Sequence, residues 1–147
     1  TTDGADALMR AFLPIRRLYS GKWFARGWSF SETSALFHIS ISRGGTCTST
    51  LAKLLHVSPP TVTQIIAKFA ELGLVTRTTD SADRRMVRVK LTPSGAAVVH
   101  EIHEDTVTRF RGLASELGEN DTRTLVDLLS RVSGYFSDKK EETQCLK

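Results

Sequence analysis

Apolar residues recur at helical spacing through most of the chain, and the period changes to strict alternation only between positions 74 and 91. Residues 5–20 place Leu8, Phe12, Ile15 and Tyr19 on one helical stripe, and Pro14 is expected to kink or restart that helix because it removes a hydrogen bond and clashes with the preceding turn. Residues 21–30 (GKWFARGWSF) hold two glycines and four aromatics. Such a cluster reads as core, subunit interface or a pocket for an aromatic ligand. A second helix is expected from Ser31 and Glu32, burying Leu36, Ile39 and Phe37 and ending at Gly44-Gly45. Thr48 is expected to cap a short helix that buries Leu51, Leu54 and Leu55.

The stretch SPPTVTQIIAKFAEL, residues 58–72, carries the strongest local signals. Ser58 is an N-cap residue, Pro59 stands at the first helical position where its missing N–H is harmless, and Gly73 lies just past the end. Val57 and Val62 have the spacing of a hydrophobic staple. Val62, Ile65, Ile66, Phe69 and Leu72 form the stripe expected to be buried, which leaves Thr61, Thr63, Gln64, Lys68 and Glu71 outside. Hydroxyls and an amide suit base edges or phosphates, and a lysine suits a phosphate, although a polar helix face is more often simply solvated. Two short amphipathic helices joined by so few residues have the layout of a helix-turn-helix.

After Gly73 the alternation predicts strands over 74–79 and 86–91, with Val87, Val89 and Leu91 on one face. The polar turn TDSADRR between them makes a hairpin wing. Thr92-Pro93 starts a long helix expected to reach Leu117, Gly118 breaks it, and a last helix carries Leu125, Leu128, Leu129, Val132 and Phe136. The fold class is therefore mainly α with a small β-hairpin wing. Residues 31–92 form the winged helix-turn-helix lobe, and 1–30 with 93–147 form a helical dimerisation region. The terminal stripes are more than so small a lobe can cover, which predicts a homodimer offering two central helices to two half-sites of DNA.

A length of 147 residues fits one domain or one compact subunit, and a net charge of +4 is compatible with an anionic partner without requiring one. Two cysteines, Cys47 and Cys145, make no disulfide framework. No apolar run approaches membrane-spanning length and no signal-peptide pattern opens the chain, so a soluble cytoplasmic protein without a membrane partner is expected.

The run from STLAKLL through SPPTVTQII and LGLVTR to DSADRRMVRVKLTPSG resembles, in order and spacing, the winged helix of the MarR family of transcription regulators. The flanking helices agree in layout and apolar pattern only. The resemblance implies a homodimer on double-stranded, pseudo-palindromic operators, often a repressor, released in many members by small phenolic or other aromatic ligands. It makes the outer face of the central helix the recognition face, with Thr61, Thr63 and Gln64 at base edges, Ser58, Pro59 and Pro60 at its leading end, and Lys68 at a phosphate. Asp83, Arg84 and Arg85 form the wing turn. Asp83 is expected to pair with an arginine while Arg84 or Arg85 enters the minor groove. Arg77, Arg88 and Lys90 are secondary phosphate candidates. In the family the ligand cleft lies between lobe and dimer region, which here suggests Arg16, Trp23, Trp28 and His38.

Other classes are weaker. No nucleophile elbow, Gly-rich phosphate loop or paired-cysteine metal motif supports an enzyme, and no cofactor is implied. Metal sensing would draw on His38, His100, His103 and Glu104, but their spacing is loose and HEIHED also reads as a solvated acidic patch. Redox sensing needs an accessible thiol, which family members usually carry in the first helix. This chain has none there, and Cys47 reads as a small buried residue.

Overall fold

A computed structural model describes residues 2–20 and 27–144. The elements run α1 (Thr2–Ser20), α2 (Phe30–Ile41), β1 (Thr46–Cys47), α3 (Thr48–Leu55), α4 (Pro59–Glu71), β2 (Val75–Thr79), β3 (Val87–Leu91) and α5 (Pro93–Gln144). The chain forms two compact units, residues 1–106 and 107–147.

In the first unit the helical stripes converge on one core. Leu36 and Ile39 of α2, Leu51 of α3, Val62, Ile65, Ile66 and Phe69 of α4, Leu74, Val75, Val89 and Ile102 of α5 are buried together. Phe69 is wholly buried, the largest side chain among the described residues of which this is true. Three positions expected inside are instead exposed: Phe37, Leu54 and Leu72. Leu72 is the C-cap of α4, where the helix stops turning and the stripe no longer faces inward.

The helix ends explain the chain path. Ser29, not Ser31, caps α2: its hydroxyl accepts the Glu32 N–H while the Glu32 carboxylate accepts the Ser29 N–H, a complete capping box. Cys47 holds the cap position of α3 without a side-chain hydrogen bond, so β1 runs directly into the helix. His56 takes a left-handed conformation (φ 53°, ψ 42°), which turns the chain from α3 into α4 within the space of Val57 and Ser58. Ser58 caps α4 as expected, and Gly73 at φ 72° ends it. Pro14 lies inside an uninterrupted α1. Residues 10–15 are exposed in the protomer, so water can serve the Arg10 carbonyl that Pro14 cannot.

The sheet is antiparallel in the order β1-β3-β2, with Thr46 opposite Val89 and Val75 opposite Leu91. Its seam with α5 is close. Thr92 N–H donates to the Leu74 carbonyl at 3.0 Å, and the Thr92 hydroxyl donates to the Gly73 carbonyl at 2.6 Å while accepting Gly95 N–H at 3.0 Å. A Cβ on Gly95 would stand 2.0 Å from the Leu74 carbonyl oxygen, so this helix turn approaches the sheet only because position 95 has no side chain. In the second unit Gly118 (φ 77°, ψ 169°) breaks the helical course of α5, as its place in the sequence predicts.

Candidate nucleic-acid interface

The packing of α4 decides what it shows to solvent. With Val62, Ile65, Ile66 and Phe69 turned into the core, Pro59, Pro60, Thr63, Gln64, Lys68 and Glu71 are exposed and Thr61 is half-buried. The leading end is internally bonded: Ser58 Oγ accepts Thr61 N–H at 3.3 Å and shares a hydrogen bond with Thr61 Oγ1 at 2.8 Å. Thr63 Oγ1 donates to the Pro59 carbonyl at 3.0 Å, which leaves it only its lone pairs for another molecule. The Gln64 amide makes no side-chain hydrogen bond among the described residues, so its donors and acceptor are all available.

Lys68 differs from its neighbours. Its Nζ lies 2.7 Å from Glu32 Oε1 and 5.0 Å from the centroid of the Trp28 ring. Trp28 is half-buried and meets Phe69 edge-on, centroids 5.8 Å apart. Two of the residues singled out from the sequence are thus brought together, one proposed for DNA and one for a ligand, in a contact that no sequence pattern announces.

The wing is held by its aspartates. Asp83 Oδ1 accepts the backbone N–H of Arg85 at 3.0 Å, so it shapes the turn through the main chain and not through the arginine side-chain pair that was expected. Asp80, which the sequence did not single out, accepts Ala82 N–H at 2.8 Å and the Arg88 guanidinium at 2.9 Å. Arg88 also donates to the Gly45 carbonyl at 3.3 Å, tying the strand to the loop before β1. The Arg88 hydrogen bond, then the Ala82 N–H, holds the Asp80 carboxyl below its ordinary range, and the same contact raises the Arg88 guanidinium. Arg84 and Arg85 stand exposed on the wing turn, and their guanidinium groups have no ion pair among the described residues.

Of the residues suggested for a ligand, Trp23 and the side chain of Arg16 lie outside the described residues. Trp28 belongs to the α4 contact just described. His38 lines a cavity of about 480 Å³ between α2 and the first turns of α5, with Phe37, Ser40, Val99, Ile102 and Thr106. His100 and His103, weighed from the sequence as metal ligands or as part of a solvated acidic patch, line the same cavity, and their shared place with His38 was missed because α2 and α5 are far apart in the chain. Among the described residues no three His, Cys, Asp or Glu side chains are placed to hold a metal ion. Cys47 is buried, and Cys145 lies outside the described residues. No described helix is long and apolar enough to cross a membrane.

Residues 28–87, which carry α2 through the wing, match the sequence profile of the MarR family. The likeness to the MarR family is thus carried by the winged helix-turn-helix segment, about two fifths of the chain. It is 32% identical over 83 residues to the HTH-type transcriptional regulator FarR of Neisseria gonorrhoeae, covering 56% of this chain and 57% of that one. The chain spans about half the length of the curated relatives it matches, 49–58%. The crystal structure of the transcriptional regulator BldR from Sulfolobus solfataricus is similar at 28% identity, covering 90% of this chain and 97% of that one with a TM-score of 0.71. A MarR family transcription regulator of 20% identity shares the fold over 96% of this chain and 95% of its own, with a TM-score of 0.80. The matched proteins are transcription regulators, not enzymes.

Proposed function

We propose that this chain is a MarR family member and a homodimeric, sequence-specific DNA-binding transcription regulator, acting as a repressor that leaves a pseudo-palindromic operator when a small aromatic ligand binds. The observation that carries the DNA reading is the outer face of α4, where Thr63 and Gln64 are exposed, together with a wing whose exposed Arg84 and Arg85 have no ion pair among the described residues. A free Gln amide matches the donor and acceptor of adenine in the major groove, and a threonine with its hydrogen already committed accepts from an exocyclic amine. Ser58, Pro59, Pro60 and Thr61 form the leading end, and the wing arginines suit the negative potential of a minor groove.

Exposed Leu8, Phe12 and Ile15 on α1, and Leu125, Leu128, Leu129 and Phe136 in the second unit, support a second copy as their cover. The cavity lined by Phe37, His38, His100 and His103 has the size of a small-ligand site, and its ring and imidazoles suit an aromatic carboxylate.

The test is selection of binding sequences from a random duplex pool, followed by fluorescence anisotropy at two salt concentrations. An enriched inverted repeat with tight, salt-sensitive binding is expected, and the absence of any enriched sequence would sink the reading. Salicylate should release the DNA. If salicylate acts equally on wild type and on Ala96→Leu, which narrows the cavity wall, the ligand does not sit there.

A further inference from the structure

Lys68 stands on the face of α4 that the DNA reading assigns to the operator, yet its charge is engaged inside its own lobe. Glu32 uses both carboxylate oxygens. Oε2 accepts Ser29 N–H at 3.0 Å and closes the capping box of α2, and Oε1 holds Lys68 Nζ at 2.7 Å. The Glu32 side chain is only 14% exposed, so it is the fixed partner of the pair. Trp28 supplies a second restraint, its ring lying under the ammonium and against Phe69 of the same helix. An ion pair with a half-exposed lysine contributes little to folding stability. What these contacts do supply is an angle: they tie one exposed point of α4 to the start of α2, thirty-six residues earlier. Gln64 lies one turn before Lys68 on the same helix, so a rotation of α4 that breaks the tie also moves Gln64.

We propose that Glu32 and Trp28 are positioning residues for DNA reading, which act through Lys68 to hold the Thr63–Gln64 face of α4 at a set angle to α2. Lys68 is then an orienting group and not a phosphate contact. The proposal rests on the DNA-binding reading above.

The two roles of Lys68 give opposite signs in one experiment. Operator affinity and its salt slope are measured by anisotropy for the wild type, Glu32→Gln, Lys68→Met and the double variant, using a duplex the wild type has selected from a random pool. Gln keeps the capping box, and Met keeps the stem beside Trp28, so thermal melts should confirm folded protein. If the contact positions α4, each single variant weakens binding about threefold or more, the salt slope stays unchanged, and the double variant is no weaker than the weaker single. If Lys68 contacts a phosphate, Glu32→Gln frees it and binding tightens, while Lys68→Met flattens the slope by about one ion. Unchanged or tighter binding by Glu32→Gln overturns the proposal and leaves DNA binding standing. A wild type that selects no sequence overturns both, and the wild-type measurement itself tells these failures apart.

Discussion

Replacing Gly95 by alanine sets helix propensity against packing at the seam where α5 meets the sheet. In an open helix the change would stabilise by at most about 1 kcal/mol, because glycine is the poorer helix former. Here the new Cβ meets the Leu74 carbonyl oxygen at 2.0 Å and Leu91 Cδ2 at 3.0 Å. The nearest obstacle is backbone, which cannot swing aside as a side chain would. Overpacking of this kind costs about 1–3 kcal/mol. The same Leu74 oxygen accepts Thr92 N–H at 3.0 Å, so backing α5 away also strains a hydrogen bond worth about 1 kcal/mol. The net expectation is destabilisation by about 2 kcal/mol. Urea unfolding followed by far-UV circular dichroism should show the midpoint falling by about 1 M at unchanged slope. Wild type and variant must be compared at one protomer concentration, since association would add to apparent stability. An unchanged or raised midpoint would refute the reasoning, and would mean that the Thr92–Gly95 turn has room the geometry denies.

Gln64→Ala should relax the sequence preference at one base pair in each half-site by about 1–3 kcal/mol and leave the salt slope alone, as a repeat selection with the variant would show. The Arg84→Ala, Arg85→Ala double variant should do the reverse, weakening binding to all duplexes and flattening the salt slope by about one to two ions. Asp80 has a carboxyl held low by Arg88, so the stability it contributes is present above the ordinary aspartate range and disappears as pH falls through the lowered value. Hydrogen exchange of the wing amides should therefore stay slow near neutral pH and lose protection only in strong acid, whereas Asp80→Asn should loosen the wing at pH 7 without unfolding the lobe. Equal protection in Asp80→Asn and wild type would show that the turn holds without the ion pair.

What could be read from the chain, and what could not, divides by the range of the interaction. The caps at Ser58 and Thr92, the end of α4 at Gly73 and the break at Gly118 are local, and each was legible because one residue type at one position supplies the geometry. The stripe of α4 was legible through Phe69 for the same reason: period alone assigns the inner face. Errors came where a local rule met a neighbour. Leu72 has the right period but lies past the last helical residue, and Phe37 belongs to a cavity wall instead of the core. The candidate DNA-binding surface divides in the same way. The exposure of Thr63 and Gln64 follows from the period of α4, but what the charged groups nearby are free to do does not. Lys68 finds Glu32, Arg88 finds Gly45, and His38 comes to line one cavity with His100 and His103 across separations that no periodicity spans. A basic residue in a recognition segment is therefore weak ground for a phosphate contact until its intramolecular partners are known: here Lys68 and Arg88 are engaged, while Arg84 and Arg85 are the cations that the wing turn leaves available.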